Sequence, residues 1–265
     1  MAPALQATTT YVMPVSFRLP RRLDVAHYDE ITMLAVPYLT DRDALAKLLP
    51  EPLEPAQEPL VTLWCQMCRG VDFLAGRGYN IVGVNLSAVF NGRRDRMPGA
   101  YALVLWENDT VPILVGREFL GAPKLYADIP DVEHRGGTWR FSASEYGTKL
   151  LEAEVRGAKA ADEKACRQIE QGSNAGRWLC WKYVPRADHA GADVSFATAV
   201  RSRWSVRQAW LGEGTHRIFQ ATWEQAPVSA HILEGLRTLV VREYRPALIT
   251  RASMDLLIGK TQRLE

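Results

Sequence analysis

What most constrains this chain is a rhythm. After Pro59 it runs through short segments rich in β-branched and aromatic residues, each closed by residues that favour a turn. Residues 60–67, 79–90, 101–107, 113–116, 138–144, 150–156, 178–184, 194–211 and 215–223 read as strands, and 31–39 precedes them. Asn91-Gly92, Asn108-Asp109, Gly136-Gly137 and Gly212-Glu213-Gly214 supply backbone that can reverse direction tightly. Helical periodicity is confined to three short stretches. In residues 41–49, Ala44, Leu45, Leu48 and Leu49 form one apolar face behind Thr40 or Asp41 as cap, and Pro50, Pro52 and Pro55 stop the helix. Residues 161–171 and 229–239 are the other two. The predicted class is α+β and predominantly β: a large curved antiparallel sheet forming a cone or barrel, with a few short helices.

No repeat, low-complexity segment or composition break divides the chain, so 1–265 is expected to form a single domain with 1–27 as an irregular arm. In that arm Arg18, Arg21 and Arg22 flank Pro20, which discourages a helix. They read as a solvated or subunit-contact segment rather than a nucleic-acid site.

Several function classes fall away. The longest apolar run, residues 100–106, has the length of a buried strand and is far short of the roughly 18 residues of a membrane helix, so no membrane partner is expected. A net charge of +2 gives no basis for bulk nucleic-acid binding. Four cysteines do not make a disulfide framework, and the first residues lack a secretory pattern, so a reducing, cytoplasmic setting is expected. Cys65 and Cys68 lie three apart on a predicted strand and so face opposite sides. Cys166 and Cys180 are too far apart to complete a zinc site, and the five histidines show no ligand spacing. No metal and no cofactor are predicted.

Charge composition narrows the search for chemistry. Of 32 basic residues only seven are lysines. One of them, Lys124, follows a proline and has Phe119, Leu120, Ala122, Leu125 and Tyr126 around it. Burial without a partner disfavours an ammonium ion, and a neutral amine can attack a carbonyl to form a Schiff base. On local composition alone, a lysine lying along a strand end with its charge in water is the commoner arrangement.

The wider pattern adds to this. Gly116-Arg117-Glu118 followed by Gly121, Pro123 and Lys124 resembles the signature of the acetoacetate decarboxylase family, whose decarboxylase is itself a known instance of an activated lysine. Three further segments match in the same order. Asp43-Ala44-Leu45 with Leu48-Leu49-Pro50-Glu51-Pro52-Leu53 is similar to the family's first helix and its exit. Phe90-Asn91-Gly92 is similar to its hairpin turn, and Val111-Pro112 with Val115 leads into the Gly-Arg-Glu. Together they cover residues 28–130; beyond them only Arg167-Gln168 after Cys166 matches. The resemblance implies a β-rich cone or barrel, a homo-oligomer, a small-molecule keto substrate and a Schiff-base lysine at Lys124.

The departures from the family pattern follow a trend. A second lysine after the first is replaced by Leu125, a pocket glutamate by Ile81, and a second acid by Trp64. An arginine ahead of the first strand has no clear match near 28–31. Polar groups have become apolar while the lysine stays. A small β-keto acid would thereby lose its partners, so a larger, more apolar carbonyl substrate is expected, lined by Trp64, Gln66, Met67, Tyr79, Ile81, Leu125 and Tyr126. Tyr126 is placed there because residues i and i+2 of a strand share a face. Tyr79, Gln66, Asn80 and Glu118 are candidates for proton transfer, although Glu118 reads more simply as the ion-pair partner of Arg117.

The predicted function is a Schiff-base lyase performing decarboxylation or aldol condensation and dehydration. The alternatives are a non-catalytic small-molecule binder, or a biosynthetic cyclase that shapes an apolar substrate without covalent chemistry.

Overall fold

A computed structural model describes residues 5–6, 8–16 and 23–265. Arg18, Arg21 and Arg22 lie outside the described residues. In chain order the strands are β1 (Ala26–Leu39), β2 (Leu53–Pro55), β3 (Leu60–Val71), β4 (Tyr79–Asn91), β5 (Arg96–Glu107), β6 (Lys124–Tyr126), β7 (Glu133–Arg135), β8 (Thr138–Glu145), β9 (Thr148–Ala160), β10 (Trp178–Pro185), β11 (Ala192–Val200), β12 (Ser202–Ile218), β13 (Glu243–Tyr244), β14 (Ala247–Leu256) and β15 (Gln262–Arg263). The helices are α1 (Arg42–Ala46), α2 (Thr110–Val115), α3 (Glu163–Ala175) and α4 (Ala230–Arg237). Among the described residues no helix is long and apolar enough to cross a membrane.

The predominance of strand is as expected, but the sheet differs from the expectation in two ways. All the strands join one sheet, ordered β15-β11-β10-β5-β4-β3-β1-β14-β12-β9-β8-β7, with β13, β2 and β6 attached beside it. It is mixed, because β5 pairs in parallel with both β10 and β6. It is also open rather than a closed barrel: β15 and β7 end the path without pairing to each other.

Local chemistry explains the other corrections. Residues 113–116, expected as a strand, are helical. The Asp109 side chain accepts from Val111 N at 2.8 Å and starts α2, and Pro112 sits in the first turn, where it has no hydrogen bond to lose. The expected strand 194–211 is broken at Arg201, between β11 and β12. Gly212-Glu213-Gly214 is not a turn, because β12 runs through it and ends at Ile218 rather than 223. The register slips between Leu211 and Glu213, and a Cβ at Gly214 would lie 2.8 Å from that of Ala247. Those glycines mark a bulge and a close approach.

Alternation along the central strands buries both faces of the sheet. One face carries Leu34, Val36 and Tyr38 of β1, Leu63 and Cys65 of β3, and Val82, Val84 and Leu86 of β4, covered by Leu233 and Leu236 of α4. The opposite face carries Ile31 and Ala35 of β1, Trp64 and Cys68 of β3, Tyr79 and Ile81 of β4, and Leu105 of β5. Cys65 and Cys68 thus fall on opposite sides, both buried and unpaired.

Candidate functional site

The second face does not fill. It borders a cavity of about 340 Å³ whose wall includes Met33, Trp64, Gln66, Tyr79, Ile81, Glu107 and Lys124, with Trp178 and Trp204 nearer the chain's later strands. Gly83 makes room for the largest wall residue: a Cβ there would lie 2.6 Å from the Trp64 ring. The Trp64 Nε1 is buried without a hydrogen-bond partner among the described residues.

Lys124 opens β6, which pairs in parallel with the end of β5 at Leu105. It is 6% exposed. The chain ahead of it loops over the side chain as α2 and a π-helical turn at Gly116–Leu120. Lys124 Nζ donates to the Pro112 carbonyl at 3.0 Å. A Cβ at Gly116 would lie 2.5 Å from Lys124 Cδ and Cε, so any other residue there would push the lysine side chain from its place. Gly121 ends the turn in the left-handed region at φ 74°.

Arg117 and Glu118 serve this loop rather than each other. The expected ion pair between them is not formed among the described residues. Arg117 Nη1 donates to the Lys124 carbonyl at 3.1 Å, and the Glu118 carbonyl accepts from Lys182 Nζ at 2.6 Å. The Leu120 carbonyl accepts from Thr198 Oγ1 at 2.6 Å. Backbone geometry is what this stretch supplies.

Lys124 is buried as expected, but it has a partner. Glu107, the last residue of β5, is fully buried and its Oε1 lies 2.8 Å from Lys124 Nζ. Its Oε2 has no hydrogen-bond partner among the described residues. Burial pushes the Glu107 carboxyl above the usual glutamate range, and the Lys124 charge opposes that shift. A buried carboxyl with one oxygen against Lys124 Nζ is within proton-transfer distance of the amine. Sequence reasoning passed over Glu107 because an acid at a strand end resembles a solvated edge. The available signal was a lone acid closing the longest apolar run.

The other predicted residues divide. Trp64, Gln66, Tyr79 and Ile81 share the cavity wall with Lys124. Met67, Leu125 and Tyr126 do not. Met67 points to the opposite side of β3, where its Sδ accepts from Val132 N at 3.2 Å. Leu125 packs into the filled core. Tyr126 is 52% exposed and donates to Asp128, since β6 ends as it leaves the sheet. Asn80 is also placed elsewhere: it donates to the Ile129 carbonyl and Asp131 and accepts from Arg69. Glu118 is absent from the cavity wall.

Polar groups on the wall are linked. The Tyr28 and Tyr79 hydroxyls lie 3.2 Å apart, and Gln66 Nε2 donates to Cys68 Sγ at 3.3 Å. Burial raises both phenols well above the ordinary tyrosine value and pushes the Cys68 thiol up to about 12, so all three stay protonated near neutrality. Among the described residues no cluster of His, Cys, Asp or Glu is arranged to hold a metal.

A buried lysine–glutamate pair thus lies under a loop closed by glycine, on one unfilled face of a large mixed sheet. Comparison with known proteins places the chain. The sequence profile of the acetoacetate decarboxylase family matches residues 12–261, and the chain belongs to that family, whose characterised type is a lyase. A relative, acetoacetate decarboxylase of Clostridium botulinum, is 28% identical over 249 residues, covering 87% of this chain and 91% of its own. Among solved structures, acetoacetate decarboxylase of Legionella pneumophila superposes with a TM-score of 0.76 at 16% identity, over 99% of this chain and 98% of that one. The enduracididine biosynthesis enzyme MppR, complexed with the condensation product of pyruvate and imidazole 4-carboxaldehyde, gives 0.69 at 16% identity over 98% of each chain. At these identities the two structures show the shared fold.

Proposed function

We propose that this chain is a Schiff-base-forming lyase acting on a keto substrate larger and more apolar than acetoacetate. The observation that carries the reading is the buried Lys124–Glu107 contact at 2.8 Å on the wall of a largely apolar cavity. Glu107 takes a proton from the Lys124 ammonium, which leaves a neutral amine beside a neutral acid. The Nζ lone pair attacks the substrate carbonyl carbon, and the resulting carbinolamine loses water, with Glu107 returning its proton to the departing oxygen. The iminium then accepts the electron pair of a neighbouring carbon–carbon bond. For a β-keto acid that bond breaks to release carbon dioxide and an enamine. Alternatively the iminium loses an α proton, and the enamine so formed attacks an aldehyde. Reprotonation at carbon and hydrolysis of the imine return the free lysine.

The wall supports the choice of substrate. Trp64 and Ile81 occupy positions where the family pattern carries acids, so a small β-keto acid loses those polar partners there. Trp64 Nε1, unpartnered among the described residues, and the Tyr79 hydroxyl are among the donors available to a bound oxygen. MppR, complexed with a condensation product, is a precedent for aldol-type use of this fold and supports keeping condensation beside decarboxylation. A cytoplasmic homo-oligomer working without a cofactor completes the proposal; light scattering of the purified chain tests the oligomer.

Exchange of the carbonyl oxygen tests the chemistry. An iminium intermediate replaces ketone oxygen with oxygen from water, so ketones that fit the cavity should exchange in ¹⁸O-water with the native chain and not with Lys124→Ala. Binding without exchange, with affinity unchanged in Lys124→Ala, would favour the non-catalytic binder instead.

A further inference from the structure

The cavity has a second charged end. Arg177, just after α3, and Arg201, between β11 and β12, both line it. In the antiparallel β10–β11 ladder Trp178 pairs with Val200 and Leu179 with Ala199. The ladder ends at that pair, so Arg177 and Arg201 flank its last rung, and continuing the register one step would set them opposite each other. Like charges directly opposite each other across a ladder are destabilising. No carboxylate among the described residues offsets them: neither arginine is in an ion pair. Among the described residues Arg177 Nη1 donates only to the carbonyls of Ala175 and Gly176. The Arg201 side chain is exposed and has no hydrogen-bond partner among the described residues. The cavity wall as a whole holds three cations, Lys124, Arg177 and Arg201, against one carboxylate, Glu107.

The separation of the two ends can be read along β5. Leu105 pairs with Lys124 and Ala100 with Trp178, the neighbour of Arg177. Five residues of extended strand span about 16 Å, and the inward reach of lysine and arginine side chains shortens the gap to on the order of 10 Å. Between the ends lie Trp64, Ile81, Trp178, Val200 and Trp204, an apolar passage. Its volume, about 340 Å³, is at the small end for a ligand site and suits a slender molecule.

We infer that the substrate is an elongated keto acid, its carbonyl at Lys124 and a remote carboxylate held between Arg177 and Arg201. Guanidinium forks match a carboxylate geometrically, and an anion between the two arginines relieves their repulsion. The carbonyl half of this inference rests on the Schiff-base reading; the anion half does not.

Two measurements separate them. Octanoate has a carboxylate and a chain but no ketone. Calorimetry should show it binding the native chain, with affinity falling about tenfold or more in Arg177→Ala/Arg201→Ala. Arg201→Ala alone, which leaves the Arg177 contacts to the Ala175 and Gly176 carbonyls in place, should show part of that loss, and Arg177→Lys/Arg201→Lys should retain measurable binding. The second measurement compares borohydride trapping of 8-oxononanoate with that of its methyl ester. The acid should trap on Lys124 about tenfold faster in the native chain, and the two should become equal in the double alanine variant. Octanoate that fails to bind, or binds the double variant equally well, overturns the anion site. Equal trapping of acid and ester by the native chain overturns it too. Octanoate bound through the arginines with neither ketone trapped supports the anion site and removes the Schiff-base reading.

Discussion

Strands β3 and β4 present two unlike faces to the same protein. On one, Leu63, Cys65, Val82 and Val84 are sealed against other apolar side chains. On the other, a single residue's step away, Trp64, Gln66, Tyr79 and Ile81 border open space. The filled face obtains its stability from close packing, where every methylene has neighbours. The cavity face leaves contacts unmade and carries the Lys124–Glu107 pair, two linked phenols and, among the described residues, a carboxylate oxygen and an indole N–H without hydrogen-bond partners. Stability and chemistry are thus segregated by the alternation of one strand pair. Substitutions on the two faces should therefore fail in different ways.

The largest effect after loss of Lys124 itself is expected at Glu107. Glu107→Gln keeps the shape and removes the proton acceptor, so kcat/KM for a keto substrate should fall by about 10²–10⁴-fold. Across the sheet, Leu63→Ala should cost about 2–5 kcal/mol in chemical denaturation and leave kcat/KM within a few-fold. An equal loss of activity in both variants would erase the distinction between the faces.

A pH effect on stability is expected on the filled side. His216 stacks on Tyr38, with ring centroids 4.6 Å apart, and burial lowers its pKa to about 4. Between pH 6.5 and about 4 the unfolded chain takes up a proton that the folded chain refuses. Stability should therefore be present above that window and lost as pH falls through it, by up to about 3 kcal/mol. His216→Phe should flatten that acid limb in thermal melts. The smallest effect is expected at Ile81→Ala. Its side chain already faces space, so it should cost less than about 2 kcal/mol, below the range for sealed positions, while changing which ketones are accepted.

Legibility in the sequence followed the same division. Alternation in β3 and β4 was plain, because a strand buried on both faces still separates Leu63 from Trp64 by period two. Lys124 stood out through ordered motifs, and the structure gives Gly116 in that motif a physical reason, since any side chain there would collide with the lysine. What failed depended on context beyond the local pattern. Residues 113–116 are apolar enough to pass as strand, and only Asp109 as cap with Pro112 behind it signals a helix. Tyr126 satisfied the i, i+2 rule, but β6 ends there and the ring swings out to Asp128. Glu107 and the arginines Arg177 and Arg201 acquire meaning only when β5, β6, β10 and β11 are placed side by side, a long-range pairing that local spacing does not encode.

The central claim is that Lys124 is the group that bonds to substrate. Borohydride reduction in the presence of 8-oxononanoate, followed by peptide mapping, tests it directly. The account predicts a single reduced adduct on the peptide carrying Lys124, absent in Lys124→Ala. An adduct on Lys182, or none with this or any other ketone that the chain binds, would contradict it.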